Sequence, residues 1–136
     1  LLHGDTLCTL DTDYQAFRQQ VRNPYWQTQF LAYPLSQRRL LAQQARTQSQ
    51  AYTRTSALDI LEVTPTAVID ALTTHSVYRL IHGHTHRPAI HQLSVNGQLA
   101  YRYVVSDWFQ DEVKIMSCIP NACQLIPLEL LPLYLL

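Results

Sequence analysis

Apolar residues recur at helical spacing in the first half of the chain and at strand spacing in the second. Tyr14, Phe17 and Val21 fall three and four apart within residues 11–22, the pattern of a helix with one buried face. Asp11 or Asp13 stands where a side chain can cap its start. Asn23-Pro24 breaks that run. Tyr25 to Ala32 and Leu35 to about Tyr52 predict two more helices, separated by Tyr33-Pro34. Thr64-Pro65 predicts an N-cap followed by proline at the first helical position, opening a helix to about His75.

From Val77 the period changes. Val77-Tyr78-Arg79-Leu80-Ile81 is a short run of strand formers that ends at a Gly-His turn. Ile90 to Val95 and Gln98 to Val105 are joined by Asn96-Gly97, a strong two-residue hairpin signal. In the second of these strands Leu99, Tyr101, Tyr103 and Val105 alternate with Gln98, Ala100 and Arg102, so the first set is expected to face the core. Glu112 to Cys118 and Gln124 to Leu128 are two further strand candidates. At the other end Leu1-Leu2 reads as the stub of a buried strand. Strands usually run about five or six residues, so the expectation is a chain lacking its N-terminal part. The order predicts one mixed α/β unit over residues 1–136, with an inserted helical section and mostly antiparallel strands.

The tail from Leu125 to Leu136 is Leu-rich and interrupted by Pro127 and Pro132. It reads as a segment that covers the core, with contact to a membrane surface the other option. It is too short to span a bilayer, which takes about 20 residues.

Composition narrows the classes. A chain of 136 residues suits one ordinary domain. Ten Lys+Arg balance ten Asp+Glu, so no net field draws nucleic acid or an anionic membrane. A hydrophobic content of 47% with 15% charged residues supports a core and disfavours disorder. There is no signal peptide with a basic start. Cys8, Cys118 and Cys123 are an odd number at no metal-ligand spacing, which suits a reducing cytosol and disfavours a disulfide scaffold.

Candidate chemistry gathers around glycine and histidine. Only three glycines occur, against about nine or ten expected at average usage. Two of them stand beside histidines, in His3-Gly4-Asp5 and in His82-Gly83-His84-Thr85-His86, and each pattern follows an apolar strand-like run. Glycine permits a sharp exit from a strand, and ligands of open α/β sheets bind over such strand ends. Two histidines at i and i+2 can face one centre, and neutral imidazole is a common metal ligand. Each pattern alone is also compatible with structural histidines; the pair together points to metal. His75 and His91 read as surface residues and His82 as packing. On the third predicted helix Arg46, Ser49, Thr53 and Ser56 fall at i, i+3, i+7 and i+10. They place a cation and three hydroxyls on one face, suited to phosphate or sugar oxygens or simply to solvent.

His3-Gly4-Asp5 followed by Gly83-His84-Thr85-His86 resembles the C-terminal half of the calcineurin-like metallophosphoesterases. The surrounding residues are more specific. His3-Gly4-Asp5-Thr6-Leu7-Cys8-Thr9 with Asp11, Tyr14-Gln15-Ala16-Phe17-Arg18, Leu80 to Ala89 and Asp107-Trp108 resemble the UDP-2,3-diacylglucosamine diphosphatases of the lipid A pathway. The likeness runs from residue 1 to about Trp108 and fades afterwards. It implies part of a metallophosphoesterase α/β sandwich with a helical lid over about 14–75. It further implies two Mn²⁺ ions, with His3 and His84 on one and His86 on the other, and a supporting role for Asp5. Family members open with Asp-x-His, Gly-Asp and Gly-Asn-Arg-Asp motifs, and none of these stands ahead of His3. The expectation is therefore a C-terminal fragment that hydrolyses little by itself.

The resemblance also implies substrate contacts at Asp11, Ser49 and His84. Thr53 and Ser56 fall in register with two more, although Ser56 stands where the family has a lysine. Arg46 would position the phosphate. Tyr25, Trp26, Phe30, Leu31, Tyr33 and Leu35 would supply an acyl-chain groove or simply pack helix to helix. The implied reaction is attack of a metal-activated water on the α-phosphorus of UDP-2,3-diacylglucosamine. Its products are UMP and 2,3-diacylglucosamine 1-phosphate (lipid X), and it needs no Ser or Cys nucleophile. The implied location is the cytoplasmic surface of the inner membrane, with no nucleic-acid partner. Two other readings stand beside it: a metallophosphoesterase for a soluble phosphoester, and a non-catalytic truncated fragment.

Overall fold

A computed structural model describes residues 1–108, 113–120 and 122–130. The chain is α/β and divides into two compact units, one of Cys8–Glu62 and one of Leu1–Leu7 with Val63–Leu136.

The helical unit follows its punctuation closely. In α1 (Thr12–Arg22) the Asp11 carboxylate accepts from the Tyr14 N–H at 3.1 Å, which satisfies one of the donors a helix start leaves open. Asn23 ends that helix and caps the next. Its side-chain oxygen accepts from the N–H groups of Tyr25 (2.8 Å) and Trp26 (3.3 Å), and Pro24 opens α2 (Pro24–Ala32). Tyr33 is extended, with ψ 149°, because the residue before a proline is pushed out of the helical region. Then α3 (Leu35–Thr55) runs 21 residues, about 31 Å at 1.5 Å per residue and nearly a turn beyond the expected end at Tyr52. None of the three helices contains a fully buried residue. Among the described residues no helix is long and apolar enough to cross a membrane.

The other unit holds the strands. Residues 1–3 lie beside β1 (Arg79–His82), with Leu2 bridging His82 in parallel. The Leu2 N–H donates to Ile81 O at 3.0 Å, and the Gly83 N–H to His3 O at 2.9 Å. The predicted hairpin is present as β2 (Ala89–Val95) and β3 (Gln98–Val104), antiparallel, with Asn96 at φ 51° and Gly97 at φ 78°. β1 pairs with β3 in parallel, so the sheet order is β1-β3-β2. A separate two-stranded sheet is formed by β4 (Lys114–Ile119) and β5 (Ala122–Pro127). The α4 helix (Pro65–Thr74) buries Val68 and Leu72. The core of the unit adds Leu80, Val95, Ala100, Tyr103, Val104 and Ile126. The expected helical section of about 14–75 thus divides, since α4 belongs with the strands.

Three expectations are corrected. On β3 the face of Ala100, Arg102 and Val104 is buried, while of the expected face Tyr103 is buried and Leu99 is 59% exposed. β3 is the central strand, and Arg102 can turn inward because His82 on the neighbouring strand receives its guanidinium at 3.2 Å. Thr64 is the N-cap of α4 and Pro65 opens it, as expected, while the Thr64 hydroxyl and N–H both donate to Leu7 O, at 3.2 and 2.9 Å. Cys118 and Cys123 oppose each other across β4 and β5 and form a disulfide, leaving Cys8 as a buried free thiol. The first strand of the second half begins at Arg79, not Val77. In the Leu-rich tail Ile126 is buried and Leu128 and Leu130 are exposed. Residues 131–136, and Glu112 of a predicted strand, lie outside the described residues.

Candidate metal and substrate site

Two parallel segments that end side by side bring their exits together. Residues 1–3 and β1 run in the same direction, so His3-Gly4-Asp5 and Gly83-His84-Thr85-His86 emerge at one edge of the sheet. The close fit depends on Gly4. Its φ is +112°, and a Cβ there would meet His82 Nδ1 at 2.8 Å, Gly83 O at 2.9 Å and His84 Cβ at 3.3 Å. Gly83 is less demanding, because a Cβ at that position finds only ordinary contacts from 3.4 Å. The left-handed backbone of the second turn is carried instead by the histidines, His84 at φ 68° and His86 at φ 55°. Such conformations cost a non-glycine residue about 1–3 kcal/mol and cluster at functional sites.

The imidazoles are oriented by named partners. The rings of His3 and His84 lie 5.0 Å apart between centroids, tilted by 59°. His3 Nδ1 faces Asp5 Oδ1 at 3.2 Å, the ring largely exposed and the carboxylate buried. His86 Nδ1 faces Asp107 Oδ2 at 2.8 Å. His82 is buried and belongs to the scaffold, as expected. Its Nδ1 donates to Gly83 O at 2.8 Å and its Nε2 accepts from Arg102. The Thr85 hydroxyl is buried and makes no hydrogen bond.

The donor chemistry of this edge suits a divalent transition metal, with the inner nitrogens of His3 and His86 facing carboxylates. The donor count is partial. His3 and His84 are brought together and His86 is held apart on Asp107. Among the described residues no group of three or more His, Cys, Asp or Glu side chains converges to hold a metal ion.

The helical unit carries the expected substrate residues other than His84, and there the structure gives them different roles. Asp11 is buried; besides capping α1 it accepts the Tyr52 hydroxyl at 2.8 Å. That bond to the Asp11 carboxylate pushes the Tyr52 phenol above its ordinary value of 10.0. Ser49 lines a groove of about 210 Å³ with Asp13, Tyr14, Phe17, Ala45, Gln48 and Tyr52. Arg46 is exposed on α3. Thr53 and Ser56 spend their hydroxyl protons on helix carbonyls, Thr53 on Ser49 O and Ser56 on Tyr52 O, both at 2.9 Å. Ser56 also has extended backbone just past the helix end, so the i+10 spacing no longer places it on the face of Arg46 and Ser49. A second groove of about 530 Å³ is lined by Phe17, Tyr25, Trp26, Phe30, Tyr33 and Leu41 among others. Four of the six residues expected in an acyl groove line it, whereas Leu31 and Leu35 do not.

No protein-family model matches the chain. Comparison with curated proteins finds relatives. The chain is 60% identical over 108 residues to UDP-2,3-diacylglucosamine hydrolase of Cellvibrio japonicus (strain Ueda107), covering 79% of this chain and 45% of that protein. It is 45% identical over 126 residues to the protein of that name from Klebsiella pneumoniae, covering 93% and 52%. The Bordetella pertussis protein of that name is 51% identical over 108 residues, covering 79% and 42%. Most of the chain is thus similar to proteins named UDP-2,3-diacylglucosamine hydrolase. It spans about half the length of the curated relatives it matches.

Beside that likeness, several site residues had no role from sequence alone. Asp107 was visible only as part of the Asp107-Trp108 likeness, and its sequence distance from His86 conceals a direct contact. Tyr52 is three residues past Ser49 and thus on its face of α3, a spacing that could have signalled it. Arg102 gave the opposite signal, since a cation in an alternating strand ordinarily marks the solvent side.

Proposed function

We propose that the protein hydrolyses the pyrophosphate bond of UDP-2,3-diacylglucosamine, giving UMP and 2,3-diacylglucosamine 1-phosphate (lipid X) in lipid A biosynthesis. The observation that carries this reading is the meeting of His3-Gly4-Asp5 with Gly83-His84-Thr85-His86 at one sheet edge, in a chain whose relatives are named for that hydrolysis. His3 and His84 would hold one Mn²⁺ ion and His86 another. Bound metal supplies charge neutralisation at the phosphoryl oxygens and a water of lowered pKa. Asp5 and Asp107 keep the inner nitrogens of two of these rings engaged and so favour the outer nitrogens as ligands.

The helical unit supplies the substrate side of the proposal. Arg46 and Ser49 offer a guanidinium and a hydroxyl to phosphate and sugar oxygens, and the aromatic groove offers an apolar surface to acyl chains. Asp11 acts through the placement of Tyr52 and the start of α1. Tyr25, Leu31, Leu35 and Leu40 are more than half exposed, which supports a peripheral place on the cytoplasmic face of the inner membrane. The partial donor set favours one further statement: the 136 residues by themselves hydrolyse little or nothing.

The test is release of UMP from UDP-2,3-diacylglucosamine by the full-length protein. Activity should vanish with a chelator and return on adding Mn²⁺. Turnover that is indifferent to chelation would refute the metal reading, and Mn²⁺-dependent turnover of soluble phosphoesters alone would refute the lipid substrate.

A further inference from the structure

The two histidines most open to solvent at this edge share an arrangement. His3 is 62% exposed in its side chain and faces Asp5, whose side chain is 6% exposed. His86 is 56% exposed and faces Asp107, which is 13% exposed. In each case the inner nitrogen Nδ1 meets a carboxylate that is itself packed into the protein. An ionised carboxylate only accepts hydrogen bonds. Asp107 therefore requires a proton on His86 Nδ1, and a neutral ring then carries its lone pair on Nε2. At 2.8 Å the contact has the length of a charge-assisted bond.

Both partners are fixed from behind. His86 takes a left-handed backbone at φ 55°, a conformation uncommon for a residue with a side chain. Asp107 stands three residues past the end of the central strand. The Ser106 hydroxyl, on a buried residue, donates to the Asp107 carbonyl at 3.0 Å. The carboxylate is thus the anchored member of the pair and the imidazole the presented one.

We propose that Asp107 is a positioning residue: it holds His86 as the Nδ1–H tautomer and presents Nε2 outward as a metal-ligating atom. The proposal rests on the metal reading above only for what His86 then holds; the tautomer is a property of this chain alone.

Long-range ¹H–¹⁵N spectra of the labelled, metal-free full chain test it, recorded at alkaline pH where the ring ¹⁵N shifts themselves report a neutral imidazole. Wild-type His86 should show a protonated Nδ1 and an unprotonated Nε2. Asp107→Ala should shift the proton to Nε2, the usual form of an unconstrained histidine, whereas Asp107→Asn, which keeps a carbonyl acceptor, should retain Nδ1–H. Dispersed backbone amide spectra establish that both variants are folded. Mn²⁺ titration followed by electron paramagnetic resonance should then give a 10- to 100-fold weaker affinity for Asp107→Ala, the usual effect of losing such a partner, and a smaller loss for Asp107→Asn. The proposal is overturned by a wild-type His86 protonated on Nε2, by a tautomer that Asp107→Ala leaves unchanged, or by an Mn²⁺ affinity that does not move when the tautomer does. If wild type binds no Mn²⁺, the ligating half of the proposal falls with the metal reading, and the tautomer result still decides what Asp107 does.

Discussion

Placing a methyl group on Gly4 should damage this protein more than any other single-carbon addition at its glycines. In Gly4→Ala the new Cβ would sit 2.8 Å from His82 Nδ1 and 2.9 Å from Gly83 O. Neither neighbour can move cheaply. His82 is 1% exposed and held on both ring nitrogens, and the Gly83 N–H is bonded to His3 O. The overlap is an overpacking cost of about 1–3 kcal/mol. The φ of +112° adds a backbone cost of about 1–3 kcal/mol for a residue with a side chain. Together they come to about 2–6 kcal/mol, against a total stability of about 5–15 kcal/mol for a typical domain. Urea denaturation of the full chain, followed by circular dichroism, measures it. Gly97→Ala is the control, because Gly97 has φ +78° but nothing within 4 Å of an added Cβ, and it should show the backbone cost alone. If Gly4→Ala is no more destabilising than Gly97→Ala, the steric argument for how the two histidine turns fit together is wrong.

Four further outcomes follow from contacts in the structure. In Asp11→Ala the first turn of α1 loses its cap, at about 1 kcal/mol, and ultraviolet titration should show the Tyr52 phenol moving back down toward 10.0. Because the folded phenol lies above its unfolded value, the stabilising effect of the Asp11–Tyr52 bond is present below about pH 10 and is lost as pH rises through the raised value; the pH dependence of denaturation midpoints in wild type and Tyr52→Phe checks it. Arg102→Met removes the donor to His82 Nε2 and should cost about 1–3 kcal/mol for a buried acceptor left unpaired, whereas an unchanged denaturation midpoint would place Arg102 outside the core. Peptide mass mapping without reductant should recover Cys118 and Cys123 in one crosslinked pair and Cys8 as a free thiol, and the double serine variant should lose about 2 kcal/mol for a loop this short.

The elements with chemical punctuation were legible in the chain. Asp11, Asn23-Pro24 and Tyr33-Pro34 mark helix ends because each satisfies or removes backbone donors locally, and Asn96-Gly97 marks the hairpin because both residues accept positive φ. What depends on distant partners was not legible. The buried face of β3 follows from its central place between two strands and from His82 as a partner for Arg102. Thr64 carries a capping residue type, yet its hydroxyl answers to Leu7, 57 residues away. The Cys118–Cys123 bond depends on strand register, and an odd cysteine count argued against it. At the site the histidine motifs were visible, along with the idea that a glycine turn presents them. The left-handed backbone of His84 and His86 and the carboxylate behind His86 needed coordinates. The i, i+3, i+7, i+10 series on α3 treated the helix as continuing, and it stops at Thr55.

The most direct test of the central claim is the rate of UMP release from UDP-2,3-diacylglucosamine by the full-length protein with Mn²⁺, comparing His84→Ala with His91→Ala. The account predicts that His84→Ala falls by at least about 100-fold, the upper end of what loss of a mere supporting partner costs a metal site, with His91→Ala near wild type. Equal rates for the two variants would contradict it.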